Sequence, residues 1–175
     1  MRNSPRKLST EQDLYASALR ALMRRGHSIY EMKKYLEARA EDKSLVRGVL
    51  DRLKKQNYLD DARYALECAR IYAISRRRGR FRIARDLRAR GLPDRHIEAA
   101  LEAVFAETDE ASLVRARLKR RLAQRRGPLD ERARASLYRS LLRAGFSSDT
   151  IRAELRAVSA VALEELPEPE EPEEL

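Results

Sequence analysis

The chain has 175 residues, with 38 Lys and Arg against 28 Asp and Glu, no Trp, and an abundance of Ala, Leu, Arg and Glu that favours helices over a sheet-rich core. No eighteen apolar residues run together to span a bilayer, and residues 1–10 lack the apolar stretch of a secretory signal. The lone Cys68 cannot form an internal disulfide, so the expectation is a cytoplasmic protein with no membrane partner.

The net charge of +10 averages two regions of opposite sign. Seven glutamates and no Lys or Arg fall from residue 164 onward, which leaves +17 on residues 1–163. Such an excess predicts attraction to a polyanion or to an acidic protein surface. The blander interpretation is a solvated, arginine-rich helical surface.

In chain order, residues 1–9 read as a flexible N-terminus. Ser9 or Thr10 is placed to cap a first helix whose apolar side carries Leu14, Ala18 and Leu22, joined by Tyr15 and Leu19, and which stops near Gly26. Ser28 and Glu31 form an S-x-x-E capping box, hydroxyl and carboxylate each satisfying a backbone amide, with His27 and Met32 as a weak staple. The second helix presents Ile29, Met32 and Leu36 and yields near Ala40 to a third. That helix is capped by Asp42, packs through Leu45 or Val46, Val49, Leu50 and Leu53, and ends at Asn57.

The stretch 58–92, YLDDARYALECARIYAISRRRGRFRIARDLRARGL, joins a clean helix start to a run of arginines and a second basic helix. Asp60 is the expected N-cap and Asp61 adds negative charge where the helix dipole favours it. The helix is predicted to run to about Arg77, packing through Tyr64, Cys68, Ile71 and Ser75, while Arg63, Arg70 and Arg77 recur at seven on another side. Gly79 breaks the run, after which Ile83 and Leu87 hold an apolar stripe among Arg78, Arg80, Arg82, Arg85, Arg88 and Arg90. Pro93 suits the first turn of a helix containing Ile97, Leu101 and Val104.

Thr108 is expected to cap a helix whose Val114, Leu118 and Leu122 pack among Arg115, Arg117, Lys119, Arg120 and Arg121, ending at Arg126-Gly127-Pro128. Asp130 caps the next, with Ala133, Leu137, Leu141 and Ala144, and Ser147 or Ser148 caps the last, with Ile151, Leu155 and Val158. From about residue 164 the chain reads ELPEPEEPEEL; its prolines and like charges leave nothing to bury, so 164–175 is expected to be a disordered acidic tail.

Three segments, LEARAEDKSLVRGVL (36–50), LRARGLPDRHIEAAL (87–101) and LLRAGFSSDTIRAEL (141–155), share an apolar anchor at their first, eleventh and last places. The offsets leave room for three short helices per unit. The expected fold is all-α: tandem three-helix, helix-turn-helix-like repeats over 10–57, 58–107 and 108–163, forming an elongated, curved molecule. A single compact bundle is the competing architecture.

The segments LMRRGHSIYEM (22–32) and YLDDARYA (58–65), at this separation, resemble the RecX family of RecA regulators. The family pattern continues as a Gly-containing turn, Arg-Ile, and a helix ending before Gly and an aliphatic residue; Gly79, Arg82, Ile83, Leu87, Gly91 and Leu92 follow it. The resemblance extends over most of 10–158, specific in the first two units and limited to helical pattern and basic character in the third. One departure is Arg80, which follows Gly79 where the family usually has proline. The resemblance makes His27, Ser28, Glu31, Tyr58, Asp60, Asp61, Tyr64, Gly79, Ile83, Leu87 and Gly91 motif residues of the fold. It implies a monomer that binds the RecA filament in its groove, with single-stranded DNA touched directly or through RecA. It further implies limits on filament growth, ATP hydrolysis, strand exchange and cleavage of the SOS repressor.

No catalytic constellation is present: His27 and His96 lie in different units, no Cys pair offers a zinc site, and no G-x-x-x-x-G-K-[ST] phosphate loop occurs. The expectation is therefore no enzyme, no metal and no cofactor. Cys68 on an apolar face, Asp60 and Asp61 at a helix start, and Tyr15, Tyr30, Tyr58, Tyr64 and Tyr72 at helical spacings all read as packing or capping. The candidates for contact with RecA or DNA are Arg63, Arg70, Arg76, Arg77, Arg78, Arg80, Arg82, Arg85 and Arg88, because guanidinium forks suit carboxylate and phosphate oxygens. The alternative is a basic helical DNA-binding module or transcriptional regulator acting without RecA.

Overall fold

Side chains cap six helices at their N-termini, satisfying amides that the first turn leaves without partners. The computed structural model describes residues 7–125 and 129–164, the side chains of 159–164 excepted. Within them the chain is all-α, nine helices in three tandem triplets. The first triplet is α1 (Glu11–Arg24), α2 (Ile29–Glu37) and α3 (Leu45–Lys55). The second is α4 (Asp61–Arg70), α5 (Arg80–Arg88) and α6 (Asp94–Glu107), and the third is α7 (Glu110–Ala123), α8 (Glu131–Arg143) and α9 (Ser148–Glu164).

Each triplet encloses its own apolar core. Leu14, Ala18, Met32, Leu36, Val49 and Leu53 fill the first; Ala65, Ala69, Ile83, Leu87, Ile97 and Val104 the second; Val114, Leu118, Leu141, Phe146 and Ile151 the third. All nine anchors of the internal repeat are buried: Leu36, Val46 and Leu50; Leu87, Ile97 and Leu101; Leu141, Ile151 and Leu155. The three aligned segments thus occupy equivalent places, which favours tandem units over one shared bundle core. Hydrogen bonds and ion pairs between units join the first to the second and the second to the third.

Several boundaries depart from the pattern read in the sequence. Residues 7–9 are tied to the first unit, since the Leu8 N–H donates to Arg39 O at 2.8 Å and the Glu41 N–H to Leu8 O at 2.9 Å. Thr10 is the cap of α1, accepting from the Asp13 amide. Asp42 caps the turn before α3 rather than the helix, accepting from the Ser44 amide at 2.8 Å, and Val46 takes the buried place while Leu45 is half-buried. Asn57, at φ 60°, closes α3: its own N–H reaches Lys54 O and the Tyr58 N–H reaches Leu53 O. Pro93 precedes α6 as its cap. Thr108 closes α6, its N–H donating to Val104 O, and Asp109 caps α7 instead. The expected stop at 126–128 lies outside the described residues, as does the acidic tail from 165; Glu164 ends α9.

The largest departure is in α4. It does not continue as an α-helix to Arg77 but widens over Ile71–Ser75 into a π-turn, in which the Arg76 N–H reaches Ile71 O at 3.2 Å. The buried stripe is Ala65, Cys68, Ala69, Tyr72 and Ala73, at ordinary helical spacing and beginning before the π-turn. Ile71, expected to pack, is 51% exposed. A 3.6-residue pattern carries no sign of such a π-turn.

Candidate functional site

The first joint, between the first and second units, is built on the α2 capping box. Ser28 caps α2 through the Glu31 amide, and Glu31 returns to the Ser28 amide at 3.1 Å. The Glu31 carboxylate also faces Arg25 at 3.3 Å and Arg90 at 3.1 Å, and accepts from the Tyr64 hydroxyl at 3.2 Å. Burial alone would raise this carboxyl; the Ser28 amide and the two guanidiniums hold it below its ordinary value. Asp61 reaches across to accept from the Ile29 amide at 2.9 Å, so it serves the helix of the neighbouring unit while Asp60 caps its own. Burial raises the Asp61 carboxyl and lowers the His27 imidazole, which also feels Arg25. The Ser28 hydroxyl donates to Arg90 O, and Gly91, at φ 73°, lies against the Tyr30 ring, where any Cβ would collide. His27, Ser28, Glu31, Asp61, Tyr64 and Gly91 thus meet at one joint. Ile83 and Leu87 are buried in the second core, while Tyr58 is 51% exposed, outside the packing expected of it.

The second joint, between the second and third units, is a backbone contact. The Gly79 N–H donates to Ala144 O at 2.9 Å and the Phe81 N–H to Gly145 O at 3.1 Å. A Cβ on Gly79 would stand 2.2 Å from Gly145 O, and one on Gly145 2.2 Å from the Arg82 amide. Arg80 occupies the first position of α5, the position proline prefers, so the departure from the family pattern costs no backbone geometry. Its guanidinium lies over the Phe105 ring at 5.0 Å.

The structure divides the nine candidate arginines into two groups. Arg63 pairs with Glu67, Arg70 with Glu107 at 3.6 Å, and Arg88 with Asp94 at 2.6 Å. Arg78 and Arg82 converge on Asp86, the latter at 3.0 Å, and both are half-buried. These two, expected to be free and exposed, are instead neutralised within the second unit. Arg76, Arg77, Arg80 and Arg85 are exposed and pair with no carboxylate among the described residues. Arg76 leans over the Tyr72 ring. Arg77 has φ 45°, a left-handed conformation found otherwise at Asn57, Gly91 and Gly145, each just past a helix end.

Four arginines outside the sequence-based set complete this surface. Arg117, Arg120 and Arg121 of α7 line a cleft of about 310 Å³ with Arg76 and Arg77. An abutting cleft of about 570 Å³ shares Arg76, Arg117 and Arg121 and adds Arg143. Among the described residues no carboxylate lines either cleft. Arg117 donates to Arg77 O at 3.1 Å, and burial, followed by the charges of Arg121, Arg120, Arg77 and Arg78, pushes its guanidinium below the ordinary value. Beside them Phe81 and Leu142, 62% and 41% exposed, form an apolar spot edged by Arg82, Arg85 and Arg143. The basic face of α7 was visible in the sequence, but its meeting with Arg76 and Arg77 depends on how the third unit docks.

Among the described residues, no three His, Cys, Asp or Glu side chains group to hold a metal ion, and no helix is long and apolar enough to cross a membrane. Cys68 is buried and its thiol raised by that burial.

Tandem helical triplets, each with its own apolar core, define the class of helical repeat proteins. The comparisons with known proteins give the family. The model for "RecX, second three-helix domain" matches residues 60–101. Regulatory protein RecX of Halorhodospira halophila is 36% identical over 78% of this chain and 83% of its own length. That of Deinococcus radiodurans is 35% identical over 97% of this chain and 79% of its own. The crystal structure of RecX from Lactobacillus salivarius superposes with a TM-score of 0.71 at 19% identity, covering 86% of this chain and 97% of that one, a likeness of fold. The chain belongs to the RecX family of regulatory proteins.

Proposed function

We propose that this protein is a non-catalytic, cytoplasmic regulator of RecA that lies as a monomer along the RecA filament on single-stranded DNA. It limits filament growth, ATP hydrolysis, strand exchange and co-protease activity by holding protomers in place. Its working units are residues 10–57, 58–107 and 108–163. The observation that carries this reading is the unneutralised arginine surface at the second joint, in a chain whose relatives are regulatory proteins. Arg76, Arg77, Arg80 and Arg85 are the contact residues favoured from the sequence-based set, because Arg63, Arg70, Arg78, Arg82 and Arg88 already have carboxylate partners. Guanidinium forks there suit carboxylates of the protein filament or phosphates of its DNA, and the Phe81 and Leu142 spot adds apolar area for a protein partner. Contacts with several protomers through linked units would multiply modest affinities.

The test is to add the purified protein to RecA assembled on single-stranded DNA and to follow ATP hydrolysis together with filament length. Both should fall as the protein is added. Unchanged hydrolysis with binding to naked DNA would favour a DNA-binding module acting without RecA.

A further inference from the structure

We propose that residues 165–175 act as a built-in competitor at the second joint, folding back from the end of α9 to lay their glutamates on the arginines of the cleft. This rests on the reading that a partner binds there, and adds that the chain carries its own substitute for that partner. Arg76, Arg77, Arg117, Arg120, Arg121 and Arg143 line the two clefts, and no carboxylate of the described residues enters. Like charges held this close oppose one another until carboxylates arrive. Beyond Arg156 the sequence holds glutamates and no Lys or Arg, so its last segment is a run of negative charge alone.

The docking of α9 brings this segment to the cleft. The Thr150 hydroxyl donates to Glu110 Oε2 at 3.4 Å and Arg115 Nε meets Glu154 Oε2 at 3.0 Å, so α9 runs alongside α7 in the same direction. At that register Glu164, the end of α9, comes level with Gln124, the C-cap of α7, which lines the cleft with Arg120 and Arg121. The eleven residues that follow reach about 34 Å when extended at about 3.1 Å each, and the helix they must pass is about 10 Å across. Their order suits the lining as well. Glu165, Glu168, Glu171 and Glu174 recur at every third place among Pro167, Pro169 and Pro172. Proline favours the polyproline II helix, whose turn takes three residues, so these carboxylates fall along one edge of it. Guanidinium forks take a carboxylate by two bonds at once, and the tether raises the effective concentration of so weak a ligand to the millimolar range.

The contact is read in the full chain without RecA. A nitroxide is placed on Leu175→Cys, since Cys68 is buried and its thiol raised, and the backbone amide signals of Arg76, Arg77, Arg120 and Arg121 are followed by nuclear magnetic resonance. They should broaden, and the broadening should fade as salt screens the pairs. Glu165→Gln, Glu168→Gln, Glu171→Gln and Glu174→Gln together should abolish it, and so should Arg120→Gln with Arg121→Gln, read at Arg76 and Arg77. With RecA added, the chain with four glutamines should inhibit ATP hydrolysis about fivefold more potently than the native chain, because nothing tethered competes for its cleft. Three results overturn the proposal: broadening that survives either set of substitutions, broadening that appears only between a nitroxide-bearing chain and a second, isotope-enriched one, or measurable inhibition of equal potency by the two chains. Absence of broadening also overturns it and leaves the filament reading standing, because RecA is not in that sample. Absence of RecA inhibition by either chain overturns the filament reading and leaves the contact standing.

Discussion

At the first joint Glu31 stands between Arg25 and Arg90, and Asp61 answers an open amide of α2. At the second, two backbone hydrogen bonds beside Gly79 and Gly145 hold the units together, and the arginines gathered next to them face one another with no carboxylate of the described residues in the cleft. The first joint uses its charges internally. The other is held by main chain, so its charges remain available to a partner. Neutralised side chains make a joint, and unneutralised ones beside a joint make a surface.

The difference between the joints is disturbed most severely by filling the second. Gly145→Ala sets a Cβ against the Arg82 amide and requires an L residue at φ 89°, so a destabilisation of about 3 kcal/mol is expected from overpacking and left-handed strain together. Urea unfolding measures it, with hydrogen exchange in α7–α9 rising more than in α1–α3. The reverse exchange at an exposed helical alanine, Ala103→Gly, changes little beyond helix propensity.

The first joint should respond to pH and the second should not. His27 is lowered, so its neutral form supports the fold above the ordinary imidazole value of 6.5, and that support is lost as pH falls through the lower folded value. Glu31 is likewise lowered, and its contribution is present above its ordinary 4.5 and lost on further acidification. Asp61 is raised and acts in the opposite sense, favouring the folded state slightly as it takes up a proton. The protection of the amides at the α2 start, corrected for intrinsic exchange at each pH, should therefore fall below about pH 6.5 and again below about 4.5, with those flanking Gly79 unaffected. Glu31→Gln removes the acid step and lowers stability by about 2 kcal/mol by leaving Arg90 unpaired.

Arg77→Gly gives the smallest effect and the most informative sign. It relieves a left-handed arginine, so stability should rise by about 1 kcal/mol, read as a higher melting temperature, while inhibition of RecA weakens. A residue kept for packing would lose both together.

Much of this was legible in the sequence, for reasons that are local. Thr10, Ser28, Asp60 and Asp130 announce helix starts because a cap acts within three residues, and the repeat anchors announce the cores because they recur at fixed offsets. The π-turn at Ile71–Ser75 was hidden because nothing in an apolar period encodes an extra residue in a turn. Asp61 as a cap for another unit, the reach of Arg78 to Asp86, and the arrival of Arg120 and Arg121 beside Arg76 were hidden as well, whereas Arg82 and Asp86 stand four apart in one helix. Each depends on which faces meet after folding, and the charge of an arginine does not say whether a carboxylate lies beside it.

The most direct test compares two pairs of arginines that remove equal charge. Arg120→Gln with Arg121→Gln acts at the second joint, and Arg20→Gln with Arg24→Gln on exposed positions of α1. RecA-catalysed ATP hydrolysis on single-stranded DNA is measured against the concentration of each variant. Weakening of inhibition by about tenfold, or about 1.4 kcal/mol, is expected for the first pair and little change for the second. Equal inhibition by all three proteins, or a greater weakening from the α1 pair, would contradict the assignment of function to the second joint.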